Sequence, residues 1–255
     1  MTTNRFKERL LAGETQIGLW MSLASPVSAD ALSRLGYDWL ACDTEHAPLE
    51  ASGTLPILQA ADPRCEVVVR PAWNDRTLIK RHLDLGARTL LVPFVESADE
   101  ARAAVAACRY PPHGVRGVAG GVRASGYGTV PGYHAGADAE VCLLVQVETG
   151  TALERLEDIA SVDGVDGVFI GPSDLAASLG HLANPGHEDV QRAIETAAGR
   201  LADVGTPSGI LAVAPGEAER YAAWGFGFVA AGVDLGLMMG AARERLERVR
   251  GAGGR

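Results

Sequence analysis

A unit of helix, glycine stop and short apolar strand recurs along this 255-residue chain and leaves few folds open to it. It appears as Leu35-Gly36 before Tyr37 to Cys42, as Leu85-Gly86 before Ala87 to Val92, and as Trp224-Gly225 before Phe226 to Ala230. Glycine takes the left-handed position just past a helix C-terminus, and the runs that follow have strand length and strand composition. Helix starts are equally legible: Ser25-Pro26 offers an N-cap followed by proline at the first helical position, and Ser97-x-x-Glu100 reads as a capping box. The pattern predicts eight strands, at about 16–22, 37–43, 66–70, 88–93, 141–148, 166–170, 208–213 and 227–231. Strands alternating with helices in this way predict a parallel (β/α)8 barrel, with a doubly wound open sheet as the alternative. The length is usual for one such barrel, and no linker divides the chain, so a single domain is expected over 1–255. A Gly- and Pro-rich excursion at about 110–138 is expected to be an elaborated loop after strand four that shapes the active-site face. The tail 251–255 is expected to fray.

Composition narrows the partners. A hydrophobic content of 47% supplies a sizeable core, no segment reaches the roughly 18 apolar residues needed to span a bilayer, and Met1 to Leu11 lacks a signal-peptide core. A cytoplasmic protein is expected. A net charge of −9 argues against nucleic acid or an anionic membrane as partner. Cys42, Cys65, Cys108 and Cys142 form no C-x-x-C pair and read as small buried hydrophobes.

In a barrel the C-terminal strand ends converge on one mouth, so residues far apart in sequence become neighbours. Strand one ends near Trp20. Strand two runs into Asp43-Thr44-Glu45-His46, strand three ends at Arg70, strand five at Gln146 and Glu148, and strand six leads into Gly171-Pro172-Ser173-Asp174. Two carboxylates at successive strand ends, Glu148 and Asp174, are what a Mg²⁺- or Mn²⁺-class ion would use, because hard cations take oxygen ligands. Helix capping or salt bridging is the plainer reading of either acid alone. His46 is the candidate acid/base, with Asp43 placed to orient its ring; a loop histidine bonded to a backbone carbonyl is the alternative. Arg70 is placed to stabilise an oxyanion or clamp a carboxylate, or to serve as a plain ion-pair residue. Glu45 is either support behind this set or a partner for Arg70. Gly171-Pro172-Ser173 is expected to let backbone approach a ligand and to aim N–H groups into the mouth. Arg116 or Arg123 is also expected to face it.

These residues carry a family resemblance. Asp43-x-Glu45-His46-Ala47-Pro48, Val69-Arg70-Pro71, Arg109-Tyr110-Pro111-Pro112-x-Gly114-x-Arg116-Gly117, Gln146-x-Glu148-Thr149 and Gly164 to Leu175 come in the order and spacing of the HpcH/HpaI aldolase family. The chain resembles its metal-dependent 2-keto-acid aldolases more than the citrate-lyase-like branch. The resemblance implies a barrel of the phosphoenolpyruvate/pyruvate type, often a homohexamer exchanging C-terminal helices. It also implies that Glu148 and Asp174 ligate a divalent metal (Mg²⁺, Mn²⁺ or Co²⁺), that His46 with Asp43 is the base, and that Arg70 stabilises an enolate. Trp20, Gln146, Gly171, Pro172 and Ser173 are expected to contact substrate. The stretch Val118 to Ser125 is about one residue shorter than in members acting on aromatic-catabolism intermediates, which leaves the acceptor open.

Residues and resemblance meet on one chemistry: reversible aldol cleavage of a 4-hydroxy-2-oxo acid to pyruvate (or hydroxypyruvate) and an aldehyde. A lysine Schiff base is the other route to the carbanion, but the two lysines, Lys7 and Lys80, sit at no predicted strand end. An oxaloacetate-type decarboxylase would use the same metal and enolate, and a non-catalytic 2-oxo-acid-binding barrel would need neither base nor arginine. A phosphotransferase would need phosphate-binding lysines that the chain does not offer.

Overall fold

The computed structural model describes residues 3–252. Eight parallel strands, β1 (Gln16–Met21), β2 (Trp39–Asp43), β3 (Glu66–Arg70), β4 (Thr89–Val92), β5 (Cys142–Val147), β6 (Gly167–Ile170), β7 (Ser208–Leu211) and β8 (Phe228–Val233), pair in chain order and close between β8 and β1. The helices are α1 (Arg5–Leu11), α2 (Pro26–Ser33), α3 (Ala51–Ala60), α4 (Arg76–Asp84), α5 (Ala98–Cys108), α6 (Tyr133–Glu140), α7 (Gly150–Glu154), α8 (Leu156–Ala160), α9 (Pro172–Ser178), α10 (Glu188–Asp203), α11 (Glu217–Ala223) and α12 (Asp234–Ala252). Each expected strand is present, and the closed sheet decides for the barrel over the doubly wound alternative. The expected tail falls partly on residues 253–255, which lie outside the described residues; Gly251 is still helical.

The local signals behave as their chemistry requires. Ser25 Oγ accepts from Ser28 N–H ahead of Pro26, and Ser97 Oγ accepts from Glu100 N–H. The return arm of the capping box is displaced by one residue, since Glu100 Oε2 accepts from Glu96 N–H. Gly36, Gly86 and Gly225 all take positive φ, between 94° and 98°, and end their helices.

Strand parity builds two cores. In β2, Leu40 and Cys42 face the helices, while Trp39 and Ala41 face the barrel interior with Val68, Leu91, Leu144, Phe169 and Phe228. The helix α1 plugs the N-terminal end with Phe6 and Leu10, and the Phe6 ring meets Trp39 and Phe228 edge-on at 6.2 and 6.0 Å. The same period of two carries the inward rows on to Asp43, Arg70 and Gln146 at the other end, so the fold itself delivers polar groups to one mouth. All four cysteines are buried and free. No helix among the described residues is long and apolar enough to cross a membrane.

The excursion at 110–138 is not where the sequence reading put it. It follows α5, not β4, and so joins a helix to the start of β5 at the N-terminal end of the barrel, with part of it folded as α6. Val115 N–H and Arg116 N–H bond back to Ala106 O and Arg109 O and tie it to the end of α5. Arg116 is buried, donates to Asp84 and to the Tyr133 hydroxyl, and lies over the Tyr110 ring; Arg123 donates to Leu85 O. Both arginines line a cavity of about 820 Å³ with Gln16, Glu66 and Val141 from strand starts. Neither faces the mouth.

Candidate active site

A single cavity of about 390 Å³ at the C-terminal strand ends is lined by Trp20, Asp43, His46, Arg70, Gln146, Glu148, Gly171, Pro172, Ser173 and Asp174, together with Ser22, Phe169, Leu211 and Val233. Every residue expected to touch metal or substrate is therefore in one place. Glu45 stands just behind, its carboxylate 2.8 Å from Arg70 Nη1.

Arg70 is the best-held group. Asp43 and Arg70 are Cα partners across β2 and β3, and Asp43 accepts from Arg70 Nε at 3.0 Å and Nη2 at 2.8 Å. Two of the five guanidinium N–H groups are hydrogen-bonded to Asp43, while Nη1 faces Glu45 Oε2 as an ion pair and that buried oxygen has no hydrogen-bond partner. The guanidinium lies 4.6 Å from the Trp20 ring centroid, and Trp20 Nε1 donates to Asp43 at 3.2 Å. Burial pushes the Asp43 carboxyl up, but the Arg70 hydrogen bonds and charge outweigh it and hold Asp43 below the usual range. Glu45 is raised by burial, with Arg70 and His46 pulling the other way.

Asp43 was expected to orient the His46 ring. Its side chain bonds Arg70, Trp20 and the backbone N–H groups of Glu45 and His46. It fixes the loop that carries His46 and clamps the arginine; the exposed His46 ring projects from that loop at the rim of the cavity.

Glu148 is buried just past β5. Its Oε1 accepts from Phe94 N–H at 2.9 Å and its Oε2 from Gln146 Nε2. Burial raises the Glu148 carboxyl to about 7, with Asp174 and Glu45 adding to the effect by like charge. No guanidinium or ammonium pairs with Glu148 or Asp174 among the described residues, since Arg70 is taken by Asp43 and Glu45. Uncompensated carboxylates with an unpartnered, buried Gln146 Oε1 beside them form an all-oxygen set. That donor chemistry fits a hard divalent cation. Gly171 is required here: a Cβ would lie 2.6 Å from Glu148 Oε2. The expectation of free N–H groups at this turn holds only in part, because Gly171 N–H is spent on Val147 O and Pro172 has none.

The sequence reading missed Phe94. It acts through its backbone amide, which no residue type signals, and it sits at φ 52°, a strained conformation for a bulky residue. Its ring stacks on exposed Trp73 at 5.5 Å. Phe169 and Leu211 were recoverable, since parity in β6 and β7 sends both inward. Neither lysine reaches the mouth: Lys7 Nζ bonds Val141 O and Asp166 at the starts of β5 and β6, and Lys80 Cδ lies against Gly117 in the excursion.

The chain is similar to known aldolases. The model of the HpcH/HpaI aldolase/citrate lyase family matches residues 16–241. A pyruvate aldolase of Rhizobium etli is 53% identical over 239 residues, covering 93% of this chain and 94% of that protein. A 2-keto-3-deoxy-L-rhamnonate aldolase of Klebsiella pneumoniae is 52% identical over 248 residues, covering 96% and 93%. The crystal structure of a family member from Burkholderia cenocepacia superposes with a TM-score of 0.94 at 41% identity, covering 97% of this chain and all of that one.

Proposed function

This chain belongs to the HpcH/HpaI aldolase/citrate lyase family, and from that premise we propose that it is a class II aldolase cleaving a 4-hydroxy-2-oxo acid reversibly to pyruvate, or hydroxypyruvate, and an aldehyde. The observation that carries the reading is the charge at the mouth: two carboxylates without a cationic partner among the described residues, beside an arginine held rigid by two others. Glu148 and Asp174 are the residues that would hold a divalent ion (Mg²⁺, Mn²⁺ or Co²⁺), which when bound supplies Lewis-acid stabilisation of charge on the keto oxygen.

The chain's own residues do the rest. His46, at the rim, takes the proton of the C4 hydroxyl. The C3–C4 bond breaks, its electron pair passes into the enolate of pyruvate, and C4 leaves as the aldehyde carbon. Arg70 donates to the enolate oxygen with guanidinium N–H groups that Asp43 does not take. Because Asp43 and Glu45 already fix the guanidinium, little reorganisation is needed as charge develops. Trp20 and Phe169 wall the apolar side of the cavity, and Gln146 with Gly171, Pro172 and Ser173 encloses the 2-oxo acid.

We place the enzyme in the cytoplasm as a homo-oligomer, a hexamer by family resemblance. What supports an assembly is α12: every described side chain from Leu235 to Gly251 is exposed, including Leu237, Met238, Met239, Leu246 and Val249. A long helix with that much uncovered apolar surface fits exchange with a second copy.

The test is an aldehyde panel with pyruvate and with hydroxypyruvate, run with and without Mg²⁺, Mn²⁺ and Co²⁺, and with oxaloacetate alone as a separate arm. Carbon–carbon bond formation that depends on added metal is expected. Decarboxylation of oxaloacetate with no aldol product from any aldehyde would overturn the reading.

A further inference from the structure

The connection from α9 to α10 brings together a second set of metal-ligating side chains, none of which lines the mouth cavity. Ala176 O accepts from His181 N–H at 2.7 Å, His181 O from Asn184 N–H at 2.9 Å, and Asn184 O from His187 N–H at 3.1 Å. These nested turns pass through Gly180 and Ala183 at positive φ and return His187 onto His181. The two imidazoles stack with centroids 3.6 Å apart and planes 17° from parallel. His181 Nε2 and His187 Nδ1 each lie 3.7 Å from the same Asp189 oxygen, Oδ2.

We propose that His181, His187 and Asp189 form a binding site for a Zn²⁺-class transition-metal ion, separate from the all-oxygen mouth. Ligand atoms of all three lie within 4.8 Å of one another. A separation of 3.7 Å is too long for a hydrogen bond but only slightly wider than the roughly 3.3 Å between neighbouring ligands of a tetrahedral ion with bonds of about 2.0–2.1 Å. Rotating the two rings out of their stack turns both nitrogens toward that shared point. His187 Nδ1 now accepts from Asp189 N–H at 3.2 Å; ion binding takes that lone pair and leaves the amide to water at the exposed start of α10. The side chains are 25%, 38% and 55% exposed, which lets an ion enter and water complete its shell.

Ligand chemistry sorts the two sites. Two imidazole nitrogens and one carboxylate suit Zn²⁺ or Ni²⁺, whereas carboxylate and amide oxygens suit Mg²⁺ or Mn²⁺. An ion held here would clip the start of α10 to the end of α9, the helix that bears Asp174.

Equilibrium dialysis of the whole chain against micromolar Zn²⁺ in millimolar Mg²⁺, read by elemental analysis, is expected to retain one Zn²⁺ per chain. His181→Gln and His187→Asn should each weaken retention by at least about tenfold, the order of loss seen when support for a metal ligand is removed. Asparagine at 187 keeps an N-cap oxygen for Asp189 N–H, so an unchanged unfolding midpoint separates loss of the ligand from loss of the cap. Mg²⁺-supported turnover of both variants should stay within about twofold of the parent, since they leave the mouth's residues untouched. Glu148→Gln should retain zinc. No zinc on the parent chain, undiminished zinc on the double variant, or zinc lost with Glu148→Gln while both histidines remain would each overturn the site.

Discussion

Glu148 shows how much one side chain can be asked to do. It is buried, held at both oxygens, and left without a counter-charge among the described residues, so replacing it by the isosteric amide removes charge while nearly keeping volume. Glu148→Gln and Asp174→Asn are each expected to need far more added metal for turnover, because the electrostatic term that holds a divalent ion falls with ligand charge; a metal titration of initial rates measures the shift, and an unchanged half-saturating concentration would remove both acids from the metal set. Gly171→Ala should mimic Glu148→Gln without changing any charge, since the new Cβ would sit 2.6 Å from Glu148 Oε2 and 2.8 Å from its Cβ and must displace that carboxylate. His46→Ala should behave differently. The ring is exposed at the rim, so folding and metal requirement should hold while kcat drops by about 10²- to 10⁴-fold, the usual worth of a general base. An active alanine variant would return His46 to the role of a loop histidine.

At the scale of elements, the helix α4 supports the mouth from outside through His82, to which the sequence reading gave no role. Thr44 Oγ1 donates to Arg70 O at 2.7 Å and meets His82 Nε2 at 3.4 Å, which puts the ring proton on Nε2 and leaves the buried Nδ1 without a partner. Burial, with Arg81 nearby, lowers His82 to about 4 from the ordinary 6.5. Between those values the unfolded chain binds more protons than the folded one, so stability rises with pH across the window and is lost as pH falls from 6.5 toward 4. At about 1.4 kcal/mol per unit, the step from pH 7 to pH 5 should cost roughly 2 kcal/mol through this group. Urea unfolding at the two pH values should show that loss in the parent and a smaller one in His82→Gln; equal slopes would mean that His82 is not held neutral. Elements were also where the sequence was most and least legible. Caps, glycine stops and strand alternation are local, so Ser25, Gly86 and the inward row of β2 could be read directly. The 110–138 excursion was misplaced although the capping box at Ser97 already marked a helix between β4 and it; composition marks a loop but does not say at which end of the barrel it lies. The backbone of Phe94 was invisible for a similar reason: its contribution is an N–H, common to nearly every residue.

The whole molecule is a closed barrel with one helix left over. Register fixes the mouth, with Asp43 opposite Arg70 and Gln146 opposite Phe169, and this is why residues read one strand at a time met in one cavity. By contrast α12 is stitched down at its start, where buried Asp234 accepts from Ser22 N–H at 2.7 Å and Leu23 N–H at 3.3 Å. Its leucines and methionines resemble a core without the other half, and no pattern within one chain could have said what covers them. If a second copy does, each large apolar side chain buried there contributes about 1.5–3 kcal/mol, and a carboxylate in its place must be desolvated as well. Met238→Glu with Leu246→Glu is therefore expected to convert the assembly to a smaller species in size-exclusion chromatography with light scattering. The far-ultraviolet circular dichroism of the barrel should be retained, since both positions are about half exposed in the single chain, at 49% and 48%. A parent chain that runs as a monomer, or a double variant whose mass is unchanged, would show that α12 is not a contact between copies.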